Sequence, residues 1–307
     1  MKKIFKITAY FTIFTSMVFT SCLKDDSLTL DTALSNSVTE FGNTGSIATM
    51  PSNGAAPRYS IDLGSLSTGD TASFKVNVDY AGANTAPQDI TVTLDIDESI
   101  LALYNQVHSI DAVNFIAPPA EMIENSFPLT ITIPKGQLFG QAVIHVTLPS
   151  TFDFNATYAL PLKIASTSVG DVSGNFGTAM YSLNVRNIYD GIYDLSGTIL
   201  REGDLVLSGS TTGEISMTTT GPYSIQYDYH PWHGGSTVGG IDGLTLTIDP
   251  ATYKVKVSST GNPALTNLTT YDNRYDPNTK TFYVSYYWGA GPTNRAATDT
   301  LVYNRVR

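Results

Sequence analysis

The chain has 307 residues, of which 42% are hydrophobic and only 14% charged, and 27 acidic against 17 basic side chains give it a formal net charge of −10. An acidic surface repels phosphate backbones, which argues against nucleic acid as a partner. Tyr, Thr, Ser, Gly and Val dominate, a strand-and-turn composition, so the predicted fold class is all-β.

Residues 1–6 carry three lysines, and residues 7–20 form an apolar run broken only by threonines and a serine. This layout is that of a secretory signal, too short to span a bilayer as a helix. No later segment approaches about 20 uninterrupted apolar residues, so no transmembrane helix is predicted. The run ends in "FTSC", which resembles the bacterial lipobox and implies that Cys22 takes a diacylglycerol and becomes the new N-terminus. As the single cysteine, Cys22 has no partner for an internal disulfide. The following Lys24, Asp25 and Asp26 resemble the surface-export signal of Bacteroidota lipoproteins, which implies a position on the outer leaflet of the outer membrane, exposed at the cell surface. Loss of residues 1–21 leaves 14 basic against 27 acidic side chains, a net of −13. That charge disfavours docking on anionic lipid, so the acyl chains are the expected anchor. Residues 22–37 are polar and aperiodic and read as a tether.

A first strand is expected near residues 38–41. Beyond residue 58 a period of two is clear: Phe74, Val76, Val78 and Tyr80 alternate with polar residues, as do Ile90, Val92, Leu94 and Ile96. Leu129, Ile131 and Ile133 lead to a Pro-Lys-Gly turn, after which Ala142, Ile144, Val146 and Leu148 form the next strand. "YALPLKIAS" and "TAMYSLNV" supply two more, and residues 98–105 give the one convincing helical turn. Roughly seven short strands joined by turn signals predict an immunoglobulin-like sandwich over residues 38–187.

"DESILALYNQ", "FPLTITIPKGQLFGQAVIHV", "YALPLKIAST" and "NVRNIYDGIY" occur in that order across residues 60–193. Together they resemble the N-terminal domain of unknown function in Bacteroidota cell-surface lipoproteins of glycan-utilisation loci. A related module precedes the catalytic domain of some family-18 endo-N-acetylglucosaminidases. The segment 107–125 departs from the usual pattern. The resemblance implies location and company rather than a reaction.

A second unit is expected over residues 188–307. Strands are predicted at residues 193–200, 205–209, 213–219, 223–229, 244–248, 253–257, 282–288 and 300–304, with no helical crossover between them. This favours a small antiparallel β-barrel, lipocalin-like, or a flattened sandwich. "NRYDPNTKTFYVSYYW" and "ATDTLVYNR" resemble the uncharacterised C-terminal domains that follow this N-terminal module in similar lipoproteins.

The richest site candidate is "YSIQYDYHPWHGGSTVGG", residues 223–240. Tyr223, Ile225, Tyr227 and Tyr229 share one face of a strand and read as core, with Tyr229 at its end also a ligand-binding candidate. Pro231 ends the strand and paired glycines follow, so His230, Trp232 and His233 are expected on a mobile loop where an indole can lie against a sugar ring. The alternative is that Trp232 plugs the barrel end. In "YVSYYW", Tyr283 and Tyr287 point outward and Trp288 stands at the strand end, which adds three aromatic candidates for a ligand groove or for a solvent-side pair with a core tryptophan. His230 and His233 lack further ligands for zinc, so no metal and no cofactor is expected. Asp272, Asn273, Asp276 and Asn278 fit a turn better than a calcium loop. No nucleophile motif and no carboxylate pair placeable at glycosidase separation occurs. The expected function is therefore non-catalytic glycan or oligosaccharide binding for a polysaccharide-uptake system, with an outer-membrane transporter complex as possible company. The alternatives are a structural or adhesive surface protein that binds another protein, and a glycan-processing enzyme.

Overall fold

The computed structural model describes residues 36–42, 46–111 and 113–307. Cys22, Lys24, Asp25 and Asp26, and nearly all of the expected tether, lie outside the described residues. The first half comprises strands β1 (Val38–Phe41), β2 (Ser46–Thr49), β3 (Arg58–Ser65), β4 (Thr71–Ala81) and β5 (Ile90–Ile96), then helix α1 (Ser99–Val107). It continues with β6 (Phe115–Ile116), β7 (Leu129–Ile133), β8 (Phe139–Thr147), β9 (Thr157–Thr167), β10 (Asp171–Val172) and β11 (Thr178–Arg186). A four-stranded sheet in the order β10-β1-β4-β8 faces a larger sheet in the order β2-β3-β11-β9-β5-β7, with β6 beside β9.

Period-two patterning decides which side of each sheet is buried. Phe74, Val76, Val78 and Tyr80 of β4 meet Ile90, Val92 and Leu94 of β5 and Leu160 and Leu162 of β9 in one core, as a sandwich requires. The back of the larger sheet would expose Ala159 and Met180, and α1 covers it with Ile100, Leu101 and Tyr104. The Asp97 carboxylate holds the start of that helix, accepting from Ser99 N and Oγ and from Lys163 Nζ. The expected helical turn is thus real and runs on to Val107.

The second half forms one sheet from β12 (Gly191–Arg201), β13 (Gly209–Gly221), β14 (Ser224–Tyr227), β15 (Leu244–Ile248), β16 (Val255–Ser259), β17 (Thr266–Asn267), β18 (Arg274–Asp276), β19 (Thr281–Trp288) and β20 (Arg295–Arg305). Its order is β16-β15-β14-β13-β12-β20-β19-β17, with β18 also paired to β19. The sheet curls until its two edges meet. A side chain makes the join: Asn267 Oδ1 accepts from Val257 N at 2.8 Å and its Nδ2 donates to Val255 O at 3.1 Å. An amide side chain offers the donor and acceptor of a peptide group, so it can stand in for a missing strand partner. The result is a nearly closed barrel. Its lumen is filled by Tyr193, Met217, Ile225, Leu246, Phe282, Tyr286 and Trp288, all buried in one hydrophobic cluster.

The strand expected at residues 205–209 is instead a turn, and β13 begins only at Gly209. Asp204 Oδ1 accepts from both Val206 N and Leu207 N at 3.1 Å, a local arrangement that competes with strand pairing. Leu205 and Val206 are consequently 91% and 78% exposed. The pairs β17 and β18 are too short to leave a periodic signal.

Between β11 and β12, the sandwich meets the barrel through polar groups. Asn187 Nδ2 donates to the carbonyls of Gly221 and Ser224 at 2.8 Å, and Asn187 N donates to Thr219 Oγ1. Asp190 accepts from Thr219 N at 2.7 Å and Thr219 Oγ1 at 2.8 Å. Arg186, at the end of β11, donates to Asp62 of β3 and to the main-chain oxygen of Arg307.

Candidate functional site

Two places carry the side chains that recognition needs. The first is the barrel end around residues 223–240. Here the structure corrects the expectation that Trp232 and His230 sit on a loop away from the core: Trp232 is 6% exposed and His230 is 2% exposed. Pro231 bridges to Thr237, and Trp232 N donates to Ser236 O at 2.7 Å, so the segment folds back over the barrel instead of leaving it. The Trp232 ring then packs 6.1 Å from that of Trp288, itself in the lumen, and the Arg201 guanidinium lies over its outer side at 5.8 Å. Trp232 is the barrel plug, the alternative reading of its position.

Beneath it, the fully buried Asp299 of β20 gathers three partners. His230 Nε2 lies 3.1 Å from both carboxylate oxygens, Tyr286 OH donates at 3.1 Å and Tyr227 OH at 3.4 Å. Burial, and after it the Asp299 carboxylate, hold both phenols well above the ordinary tyrosine range, so they remain donors. This network satisfies the Asp299 carboxylate, both phenols and His230 Nε2 and is closed to solvent, while His230 Nδ1 is buried without a partner.

The remaining predicted residues are scattered. Tyr229 is partly exposed and its hydroxyl donates to Glu214 O. His233 Nδ1 contacts Ser210 O at 2.6 Å. Tyr283 and Tyr287 do point away from the lumen, half-buried, but the Arg274 guanidinium covers the Tyr283 ring at 4.3 Å. The structure therefore brings His230, Trp232 and Trp288 together in a core, and does not bring them together with Tyr283 and Tyr287. In the residues 272–278, Asp272 pairs with Lys254 and Arg274, and Asp276 Oδ1 accepts from Asn278 N, as a turn requires. Among the described residues no group of three or more His, Cys, Asp or Glu is placed to hold a metal ion.

The second place is the cleft where sandwich and barrel meet, a cavity of about 470 Å³. Small-molecule sites fall in the range of about 300–1,000 Å³. On one wall the loop before β9 presents Phe152 and Phe154, half-buried, their rings 5.0 Å apart and nearly perpendicular at 83°. Local hydrogen bonding fixes this loop: Asp153 Oδ1 accepts from Asn155 N and Nδ2, and Phe152 N donates to Pro149 O. Phe152 is braced by the Tyr158 ring at 4.8 Å. The other walls carry Asn184 and Arg186 of the sandwich and Asp190, Thr219 and Arg307 of the barrel. Arg307 Nε and Nη2 approach the two oxygens of Asp190 at 3.2 and 3.4 Å. Aromatic faces beside fixed donors and acceptors suit a ligand with both C–H faces and hydroxyl groups. The sequence reading missed this site. Its one local signal is the pair of phenylalanines in "STFDFNAT", aromatic residues inside a turn-rich stretch, which the structure packs against the edge of the sandwich core while leaving them partly exposed.

Comparison with known proteins places this geometry in context. Residues 41–171 match a protein-family model described as an N-terminal domain. No curated protein matches the chain. A Bacteroides ovatus protein of unknown function superposes with a TM-score of 0.54 at 15% identity, over 88% of this chain and 95% of that one. An auxiliary nutrient binding protein from Bacteroides thetaiotaomicron gives a TM-score of 0.45 at 13% identity, over 80% and 90% of the two chains. A further protein of that species, EndoBT-3987 with Man5GlcNAc product, gives 0.34 at 18% identity, over 42% of this chain and 28% of that one. The first of these likenesses speaks to the fold alone. The sandwich of this chain is thus similar to that N-terminal domain, and most of the chain is similar in fold to the Bacteroides ovatus protein of unknown function.

Proposed function

We propose that the protein is a non-catalytic, lipid-anchored protein of the outer cell surface that binds oligosaccharide in the cleft between its sandwich and its barrel. The observation that carries this reading is the pairing, in one open cavity, of the half-buried Phe152 and Phe154 with hydrogen-bonding groups already held in place by Asp62 and Asp190. Groups fixed before a ligand arrives lose little further freedom on binding, which favours affinity. The filled barrel lumen supports placing the ligand outside it. The surface location is supported by the apolar N-terminal run, Cys22 and the Lys24-Asp25-Asp26 sequence. The sandwich resembles a module of glycan-utilisation lipoproteins, which supports delivery of the ligand to an outer-membrane transporter.

The test is a glycan array probed with the purified protein, together with whole-cell proteolysis. Retention of an oligosaccharide, and protease access that is lost when Lys24, Asp25 and Asp26 are all replaced by alanine, are the expected results. An array without any bound glycan overturns the ligand; full access in the triple variant overturns the export signal.

A further inference from the structure

We infer that the cleft selects neutral oligosaccharides and rejects those bearing carboxylate or sulfate groups; this rests on the reading of the cleft as the ligand site. The ionisable side chains lining it are Asp62, Arg186, Asp190 and Arg307, two of each sign, and each is already paired. Arg186 Nη2 donates to both oxygens of Asp62 at 3.1 and 2.9 Å, while its Nη1 donates to the main-chain oxygen of Arg307 at 3.0 Å. Asp62 Oδ1 also accepts from Gly64 N at 2.9 Å, where the chain turns through a positive φ of 77°, so the carboxylate is tied to its own strand. Asp190 is committed more deeply, its side chain fully buried against Thr219 and Arg307.

An anionic ligand group has two routes to a guanidinium here. Displacing Asp62 from Arg186 leaves two negative groups side by side, and displacing Asp190 from Arg307 strands a buried carboxylate. Either step also works against the field of a chain whose formal charge is −10. Hydroxyl groups meet no such conflict. They can donate to carboxylate oxygens and accept from guanidinium N–H groups without breaking either pair. One group stands ready for them: the exposed Asn184 donates through Nδ2 to Ser60 Oγ and Ile61 O, which leaves its Oδ1 as an acceptor. Phe152 and Phe154 supply the apolar faces, whose negative π-clouds offer an anion no attraction.

The experiment uses the purified full-length protein on an array that pairs neutral gluco-, manno-, galacto- and xylo-oligosaccharides with uronate-bearing and sulfated ones. Calorimetry of the best binder follows at low and high salt, with wild type and Phe154→Ala. The inference expects a neutral ligand whose Kd changes less than about twofold with salt, because no ion pair forms on binding, and which weakens about tenfold or more in Phe154→Ala. An acidic glycan that binds with strong salt dependence and is lost in Phe154→Ala overturns neutrality while keeping the cleft. A neutral ligand indifferent to Phe154→Ala overturns the cleft itself.

Discussion

The barrel end and the junction cleft both offer aromatic rings beside polar groups, yet only the cleft leaves them open. At the barrel end, Trp232 and Trp288 pack on each other and His230 bonds inward to the buried Asp299, so none of these groups faces a ligand. In the cleft, Phe152 and Phe154 stand half-buried beside two ion pairs, each with one member, Asp62 or Arg307, that solvent still reaches. The difference is one of closure. A loop that bonds back onto its own barrel turns aromatics into core, whereas two units meeting through polar contacts leave a gap between them. The comparison can be broken or sharpened by substitutions whose effects fall on stability at one place and on binding at the other.

The largest effect is expected from Asp299→Ala. Removing the carboxylate leaves His230, Tyr227 and Tyr286 buried without their acceptor, and breaking a buried pair in this way costs about 3–5 kcal/mol. A urea titration followed by tryptophan fluorescence should show the loss in the barrel, since both tryptophans lie there. Trp232→Ala should fall close behind, at about 3–5 kcal/mol for a large aromatic truncated in a core. If the variant keeps wild-type stability, the plug is not packed as described.

Asp190→Ala addresses the join between the two units. It orphans the Thr219 N–H and hydroxyl and the Arg307 guanidinium, for an expected loss of about 1–3 kcal/mol. Because Asp190 also lines the cleft, ligand affinity should fall with it. Expressed apart, residues 38–187 and 188–307 should each retain a cooperative transition, since their hydrophobic clusters share no residue. A fragment without such a transition would place part of its core in the other unit.

The smallest expected effect lies far from both sites, on the outer sheet. Glu40 and Asp79 stand directly opposite in the β1–β4 ladder, an unfavourable like-charge pair. Burial, and after it the Glu40 charge, raise the Asp79 carboxyl above its ordinary value. A raised carboxyl means that the folded state binds its proton more tightly than the unfolded chain does. Stability from this group is therefore full below the unfolded pKa and is lost as pH rises through the folded one. Asp79→Asn should raise stability by about 0.2–1 kcal/mol at neutral pH and leave it unchanged in strong acid. Urea midpoints at the two pH values check this, and an equal gain at both would refute the charge explanation.

Much of the fold was legible because period-two alternation fixes which face of a strand is buried, as the run Phe74 to Tyr80 illustrates. What escaped was local competition and tertiary closure. Asp204 drew residues 205–207 into a turn although their apolar side chains suggested a strand. The glycines after Trp232 signalled a departure from the barrel, but the backbone bonds of Trp232 and Val238 carried the segment back across it. Asn267 closes the barrel with a side chain, which no periodicity can announce. The cleft was invisible for a related reason. Its walls come from residues near 60, 152, 184, 219 and 307, and only the packing of two units brings them within reach of one ligand.

The central claim is that ligand binds at the junction cleft and not at the barrel end. Calorimetric titration of the array-selected oligosaccharide into wild type, Phe154→Ala and Tyr229→Ala tests it most directly, because Phe154 and Tyr229 both reach the surface and neither anchors a buried network. The account predicts a loss of about 1–3 kcal/mol in binding for Phe154→Ala, with Tyr229→Ala equal to wild type and melting temperatures little changed in both. Full affinity in Phe154→Ala together with loss in Tyr229→Ala would contradict it and return the site to the barrel end.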